Sequence, residues 1–259
     1  MAREGPWRPN IVGWTVVLLV AAAVEASVRF FDLQDSVATP SDTVRALVDG
    51  LSSGALSGEL RTTLATYVQG FAVAIALGVG LGVLIGSSRA LLDGTSVLLE
   101  FLRPIPGVAL IPLGFLFFGI GIPTHRFVIA YAATWPILIY TLYGVRGSDR
   151  MLHDVARTSG VTRPGRLVRV TLPTALPSIA TGIRVSASIA LLVGVTAEFV
   201  VGDAGIGAYM RAQQFAFQLP ELYAAVLLTA LLGYAINVAL RMTERRVVFW
   251  VGEQRVAWP

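Results

Sequence analysis

The sequence has 259 residues, of which 55% are hydrophobic and only 14% are charged, and its mean hydropathy is +0.71. A soluble domain is normally about one-quarter charged, so this composition predicts a membrane protein. The absence of cysteine excludes disulfides and thiolate metal sites. The formal net charge of +4 arises from arginines without any lysine and does not by itself indicate nucleic-acid binding. His125 and His153 have no further ligands at metal-binding spacing, so we expect no metal site.

Six apolar segments have the character of membrane spans, and together they predict an all-α, polytopic membrane protein. A cleaved signal peptide is disfavoured for the first segment, because a signal peptide has a shorter apolar core and is not followed by further spans. We treat residues 1–259 as a single transmembrane domain. The predicted spans are residues 11–31, 62–86, 102–121, 127–145, 179–201 and 222–240.

Glycines at four-residue spacing mark the second predicted span. Gly78, Gly82 and Gly86 form two successive GxxxG steps, which favour close approach of a neighbouring helix over a merely glycine-rich, lipid-facing surface. The preceding polar segment, residues 32–61, is acidic and contains a helix start with Ser41 as its expected cap.

Three prolines, Pro104, Pro106 and Pro112, interrupt the third predicted span. A proline inside a span frees a backbone carbonyl and bends the helix, which is tolerated where neighbouring groups or water satisfy that carbonyl. Two interpretations are equally supported on physical grounds. The segment is either a broken helix that lines a translocation path or a kinked helix that only packs.

An arginine-rich polar segment, residues 154–173, separates the fourth and fifth predicted spans. Its arginines cannot remain in hydrocarbon, so the segment belongs on one side of a membrane. We predict a short helix at residues 154–159 with Asp154 near its first turn, a stop at Gly160, and a second helix beginning at Pro164. Leu172 and the prolines that follow it are expected to mark the return to the bilayer.

Glu198, near the end of the fifth predicted span, is the most notable isolated charge. Acids within spans are functional candidates by default, but local hydrogen bonding near the interface is an equally supported interpretation. In the loop expected at residues 202–221, Phe215 and Phe217 either form a re-entrant segment or cover the mouth of the bundle. We favour the interpretation in which the two rings cover the mouth of the bundle.

The distribution of arginine sets the predicted orientation. Segment 154–173 and the C-terminal tail are rich in arginine, whereas segments 32–61 and 202–221 are not. The positive-inside rule therefore places both chain termini in the cytoplasm. Trp250 and Trp258 in the tail suit a membrane interface.

The arginine-rich segment also carries a spaced motif. It consists of Asp154-Val155-Ala156, three residues, Gly160, nine residues, and Val170-Thr171-Leu172-Pro173. The spacing resembles the EAA loop of ABC importer permeases, which reads Glu-Ala-Ala, three residues, Gly, nine residues, Ile-x-Leu-Pro. Asp154 and Val155 depart from that pattern, while the spacing is intact. Because the spacing is long and fixed, chance occurrence in an ordinary loop is disfavoured.

Two further stretches carry the same resemblance. Residues 102–121, LRPIPGVALIPLGFLFFGIG, are similar to a run in one branch of these permeases. That branch includes transporters of nitrate, taurine, aliphatic sulfonates and thiamine-pyrimidine precursors. Gly205, Gly207 and Tyr209 resemble the family's GxGY segment, with Ala208 inserted.

The resemblance implies a type I ABC importer permease, which moves a small solute such as a sulfonate, taurine, nitrate or a pyrimidine-type nutrient by alternating access across a bacterial inner membrane. It implies a second permease copy, with a homodimer expected, and an extracytoplasmic substrate-binding protein. Two ATP-binding subunits would hold ATP-Mg and dock near residues 154–162 of a coupling loop that we place at 146–178. The lysine-free chain cannot contain a P-loop, so we expect it to bind no cofactor and to hydrolyse no ATP.

Two groups of candidate site residues follow. The ATPase-coupling residues are Asp154, Val155, Ala156, Gly160, Val170, Leu172 and Pro173. The pathway or gate candidates are Pro104, Pro106, Pro112, Glu198, Gly205 and Gly207. The rival hypothesis is a gradient-driven secondary transporter using Glu25 and Glu198, from which we would expect more intramembrane acids and an inverted repeat. A structural scaffold would leave the motif spacing unexplained.

Overall fold

A computed structural model describes residues 11–32 and 36–249, and within these ranges the chain forms helices and connecting turns without any strand. Trp250 and Trp258, expected at the membrane interface, lie outside the described residues. In the described part there are eleven α-helices: α1 Ile11–Phe30, α2 Pro40–Ser52, α3 Ala55–Ser87, α4 Arg89–Leu102, α5 Ile111–Phe118, α6 Ile122–Arg146, α7 Arg150–Thr158, α8 Arg163–Arg166, α9 Leu172–Val201, α10 Ile206–Phe215 and α11 Leu219–Val247.

Five helices in the described ranges are long and apolar enough to cross a bilayer. They are α1, α3, α6, α11 and a continuous helix, Arg163–Val201, that joins α8 to α9 through a π-helical turn. A sixth crossing is formed if α4 and Gly107–Phe118, which meet at an angle of 86°, count as one broken span. The prediction of an all-α bundle with about six spans is confirmed.

The predicted third span, residues 102–121, is wrong in its bounds. Its only α-helix, α5, has 8 residues and is about 12 Å long, too short to cross alone. The crossing needs α4, which ends just before Pro104 and Pro106. Proline has no N–H and clashes with the preceding helical turn, so the chain breaks here and continues as a 3₁₀ turn, Gly107–Leu110.

The centre of the bundle is the contact between α3 and α6, and glycine makes it close. A methyl group on Gly78 would lie 2.7 Å from Cβ of Ile137, and one on Gly82 would lie 2.6 Å from Cβ of Thr141. Side chains at those positions on α3 would therefore force α6 away. The close approach predicted from the GxxxG steps is confirmed, and α6 is the neighbour.

Helix α9 packs on the opposite side of α6 in the same manner. Gly194 accommodates the end of Ile129, and Gly182 accommodates Tyr140. Ile129 and Ile137 are fully buried between α3 and α9. These three helices thus form a rigid core, and the functional segments extend from its two ends.

Two predicted local features are wrong. Thr39, not Ser41, caps α2, because its Oγ1 accepts the hydrogen bond from the Asp42 backbone N–H. The arginine-rich helix α7 begins at Arg150 rather than at Asp154, since the Asp149 carboxylate accepts from the Met151 N–H and caps an earlier start. Asp154 therefore lies in the middle of the helix.

The segment 202–221, predicted as a loop, is largely helical. Helix α10 occupies Ile206–Phe215 and buries Ile206 and Met210 against α11 and α3. Phe215 and Phe217 extend from its end with 71% and 85% of their surface exposed. Neither ring packs in the core, and the choice between a cover and a re-entrant segment stays a prediction.

Candidate functional site

The first candidate site is the elbow segment, which we define as α7, the turn at Gly160, and α8. Gly160 has φ +78, and the Val161 N–H donates to the Ala156 carbonyl at 2.9 Å. This is the Schellman arrangement, in which a left-handed residue turns the chain back and satisfies the last helical carbonyls. Thr162 then caps α8 by accepting from the Gly165 N–H at 3.3 Å. One helix therefore ends at Gly160 and a second helix begins shortly after it, as predicted.

The motif residues of α7 differ in what they contact. Ala156 is buried, whereas Val155 is 58% exposed and Asp154 makes only an exposed ion pair with Arg157 at 3.6 Å. Met151 and Leu152 are also exposed on α7. A short surface helix that exposes several apolar side chains has the character of a docking surface.

The second half of the motif enters α9 without interruption. Val170 lies in a π-helical turn, Leu167–Thr171, and α9 begins directly at Leu172 with Pro173 in its first turn. The last residues of the predicted 146–178 loop are therefore helical, and Pro177 lies inside α9 rather than marking its start.

His153 contributes a contact that the sequence did not reveal. Its Nε2 lies 2.9 Å from the Ser148 hydroxyl, which accepts from the Thr174 hydroxyl at 3.1 Å. The chain of hydrogen bonds connects α7 to the start of α9. The elbow segment is therefore connected to α9 through side chains as well as through the backbone.

The broken span forms the second candidate site. Its break is stabilised by the Tyr131 hydroxyl, which donates to the Leu102 carbonyl at 2.8 Å. Pro104 and Pro106 line a cavity of about 550 Å³ between the break, α6 and α9, whereas Pro112 opens α5 and does not line it. The arrangement favours a broken helix beside a cavity over simple packing, and the role of the prolines in a pathway stays a prediction.

The third candidate site lies where α9 ends. Glu198 is 1% exposed, and its Oε2 accepts hydrogen bonds from the Thr63 hydroxyl at 2.8 Å and from the Gly207 N–H at 3.1 Å. The Thr63 oxygen in turn accepts from the Ile206 N–H at 2.8 Å. In this structure Glu198 is therefore held by hydrogen bonds from α3 and from the start of α10.

A second acid completes this cluster. Glu59 of α3 accepts from the Gly205 N–H at 2.6 Å. Three consecutive N–H groups at the start of α10 are therefore satisfied by side chains of α3 and α9. Negative charge at a helix N-terminus is stabilised by the helix dipole, so the two acids hold α10 on the bundle. We call Glu59, Thr63 and Glu198 the α10 anchor.

Packing explains the two glycines of the predicted GxGY segment. Gly205 has φ +94, and a methyl group there would overlap the Glu198 carboxylate. A methyl group on Gly207 would lie 2.6 Å from the Phe199 backbone nitrogen. Both glycines let α10 approach α9. Close by, burial and the Glu221 carboxylate raise the pKa of the Tyr209 phenol.

Two further ionisable contacts lie outside these sites, and the first of them was not identified from the sequence. His125, 1% exposed at the start of α6, has its Nε2 3.2 Å from Asp203 in the turn before α10. Glu25 of α1 pairs with Arg29 at 2.6 Å and accepts from the Ser41 N–H at 3.0 Å. Glu25 and Glu198 are the two acids that the rival secondary-transporter hypothesis uses. Each of them holds helices together through hydrogen bonds, which gives no support to that hypothesis.

The fold and these sites define a polytopic helical membrane protein. Its core helix α9 connects the elbow segment at one end of the bundle to α10 at the other end. Residues 74–249 match the family model for the binding-protein-dependent transport system inner membrane component. The chain belongs to this family, and the predicted membership of the ABC importer permeases is confirmed. It is accordingly a multi-pass inner-membrane protein and a transporter component rather than an enzyme.

Several relatives fall in the predicted nitrate and sulfonate branch. The chain is 38% identical over 161 residues to the aliphatic sulfonates transport permease protein SsuC of Escherichia coli, covering 62% of this chain and 60% of the relative. It is 30% identical over 165 residues to the nitrate import permease protein NrtB of Leptolyngbya laminosa, covering 64% and 59%. The chain thus spans about three-fifths of the length of these relatives.

Among solved structures, the chain is similar to one from the inward-facing MetNI methionine ABC transporter. The TM-score is 0.63 at 23% identity, covering 72% of this chain and 93% of the other. At this identity, the similarity establishes the fold alone.

Proposed function

We propose that this chain is the permease subunit of an ATP-driven importer and provides half of a translocation path for a small solute. The entire chain forms one transmembrane domain that pairs with a second copy. Two ATP-binding subunits bind and hydrolyse ATP-Mg on one side, and a substrate-binding protein delivers cargo on the other. Alternating access then follows from motion transmitted through the bundle.

One observation carries this proposal. The helix Arg163–Val201 runs without a break from the elbow segment to the α10 anchor. A packed helix transmits displacement along its axis because it is close-packed against its neighbours and most of its turns are hydrogen-bonded along the axis. The chain therefore has a direct mechanical connection between the two surfaces at which an importer must receive energy and cargo.

The elbow segment is suited to binding an ATP-binding subunit. Met151, Leu152 and Val155 form an exposed apolar face on α7. The same segment contributes Asp154, Ala156, Gly160 and the Val170–Pro173 stretch to the EAA-like motif. Arginine-rich sequence in and around α7 and α8 supports a cytoplasmic location for this end, with both chain termini on the same side.

The α10 end would then face the substrate-binding protein. Glu198, Gly205 and Gly207 hold α10 in place there, and their proposed role is to control access to the path. The sulfonate and nitrate transport named for two of the relatives supports a small oxyanion as the proposed cargo.

Co-purification with the cognate ATP-binding subunit tests the function. We expect the wild-type chain to retain that subunit in detergent and Val155→Glu to lose it, because a carboxylate would be placed in an apolar contact. Val44→Glu, an exposed valine on α2 near the other end, is the matched control and should retain it. Proton-coupled uptake by the chain alone in proteoliposomes would contradict the proposal and favour a secondary transporter.

A further inference from the structure

A polar cavity lies between the elbow segment and the ends of two core helices. Its volume is about 720 Å³. On the bundle side it is lined by Gly86 and Ser87 at the end of α3 and by Val145 at the end of α6. On the elbow side it is lined by residues of α7, α8 and the π-helical turn before α9. We call this space the elbow cavity.

Three basic side chains line the elbow cavity. Arg163 and Arg166 lie three residues apart on α8 and so share one face of that turn, and His153 of α7 joins them. None of the described residues that line the cavity is acidic. Across residues 11–32 and 36–249, no carboxylate oxygen lies within 4.0 Å of either guanidinium. Two unpaired like charges on one helical turn repel each other, so the arrangement favours an anion between them.

The hydrogen bonds of His153 leave it a donor as well. The Ser148 oxygen accepts from the Thr174 hydroxyl, so the Ser148 proton is directed to Nε2 of His153 at 2.9 Å. The ring proton of neutral His153 is then on Nδ1. A guanidinium likewise has donors and no acceptor. The elbow cavity therefore favours a ligand that brings several acceptor oxygens and negative charge.

We propose that the elbow cavity binds a phosphate group, held by Arg163, Arg166 and His153. The group belongs either to the headgroup of an anionic phospholipid or to a soluble phosphate. A guanidinium binds two phosphate oxygens through paired N–H groups. Basic pockets between membrane-spanning helices on the cytoplasmic side bind phosphate headgroups in this way, and the elbow cavity has that position in the proposed orientation.

A phosphate in this cavity would join the two halves of the elbow segment. His153 precedes the turn at Gly160, and both arginines follow it. The anion would therefore bridge α7 to α8 across the turn and neutralise the repulsion on α8. The phosphate chemistry does not depend on the importer function, and only the membrane leaflet nearest the cavity follows from the proposed orientation.

Protection of a single thiol tests the site, because the chain has no cysteine. Ser87→Cys places a thiol at an exposed position in the lining of the cavity. Thr158→Cys, exposed on α7 and outside that lining, is the control thiol. Modification by the neutral reagent methyl methanethiosulfonate is timed on the full-length chain in a neutral detergent, at constant ionic strength because salt screens charge. The probes are inorganic phosphate and dioctanoyl phosphatidylglycerol, and their controls are chloride and dioctanoyl phosphatidylcholine.

We expect at least one probe to slow modification of Ser87→Cys by about threefold or more relative to its control, because the arginines hold the anion in the cavity. Slowing by inorganic phosphate would identify a soluble ligand, and slowing by phosphatidylglycerol alone would identify a lipid headgroup. Thr158→Cys should react at the same rate throughout.

Two arginine variants decide whether the protection belongs to this cavity. Arg163→Gln combined with Arg166→Gln should remove the protection of Ser87→Cys. Arg169→Gln is the matched control, since Arg169 is an exposed arginine three residues after Arg166 that does not line the cavity. It should leave the protection unchanged.

Four results would overturn the site. They are no protection by either probe, protection that survives the combined arginine variant, an equal loss of protection in Arg169→Gln, and protection that appears only when the cognate ATP-binding subunit is added. The third would assign the effect to general surface charge, and the fourth would assign the arginines to a protein partner. The first three need no ATP-binding subunit, so failure of the importer function is recognised separately by the co-purification experiment.

Discussion

Glu198 and Gly207 are joined by a 3.1 Å hydrogen bond from the Gly207 N–H to the Glu198 carboxylate, which holds the start of α10 against the end of α9. The same carboxylate oxygen accepts from Thr63 of α3. A single buried acid therefore connects three helices at the end of the bundle opposite the elbow segment.

Removing that acid should loosen α10 and destabilise the protein. Glu198→Ala leaves the Thr63 hydroxyl and the Gly207 N–H without their acceptor, and buried unsatisfied donors cost about 1–3 kcal/mol each. Glu198→Gln keeps an acceptor oxygen and should lose less. Thermal unfolding in detergent measures both, with the exposed Asp93→Ala as control. Equal melting temperatures for Glu198→Ala and the control would contradict the role of the α10 anchor.

The contact between α3 and α6 should tolerate no added atoms. Gly82→Ala places a methyl group 2.6 Å from Cβ of Thr141 and 2.9 Å from the Leu138 carbonyl, and we expect overpacking to cost about 1–3 kcal/mol. Gly80, two residues earlier on the same helix, has no atom within 4 Å of the corresponding position. Gly80→Ala should therefore be neutral or slightly stabilising through helix propensity. Unfolding midpoints that fall equally for both variants would contradict the packing argument.

The turn at Gly160 should be required for coupling but not for membrane insertion. A side chain at φ +78 is strained by about 1–2 kcal/mol, although no neighbouring atom lies within 4 Å, so the effect is on the backbone rather than on packing. Gly160→Arg should abolish uptake by the assembled importer while the protein is still found in the membrane fraction. Gly160→Asn, which tolerates the left-handed conformation, is the matched control and should retain most uptake. Normal uptake by Gly160→Arg would count against docking at this turn.

The proposed orientation can be tested directly because the chain has no cysteine. Single cysteines at the exposed positions Arg157 on α7 and Gln214 on α10 lie at opposite ends of α9. A membrane-impermeant maleimide added to intact cells should label Gln214→Cys and should label Arg157→Cys only after the cells are opened. The reverse pattern would invert the topology and would remove the elbow segment from the reach of cytoplasmic ATP.

Local signals in the sequence predicted the helix ends that depend on short-range chemistry. The stop at Gly160 and the restart at Pro164 follow from φ preferences within a few residues, and both are found. The start of α7 was misplaced because Asp149 competes with Asp154 as an acidic residue near a helix start. Only the hydrogen bond from the Met151 N–H to Asp149 decides between them.

Long-range relationships were not accessible in the same way. Thr63 and Glu198 are 135 residues apart, so the sequence left a pathway role and local hydrogen bonding equally open for Glu198. The bend of 86° in the broken span also involves a long-range contact, because the Tyr131 hydroxyl of α6 donates to the Leu102 carbonyl 29 residues earlier.

The uninterrupted length of Arg163–Val201 has a geometric consequence. Its 39 residues extend for roughly 58 Å at 1.5 Å per residue. A rod of that length tilting by about 5° at one end displaces its other end by roughly 5 Å, close to one turn of an α-helix. A small tilt at the elbow end is therefore enough to separate Glu198 from the Gly207 N–H that it binds, and displacement at the far end needs no large rearrangement at the elbow.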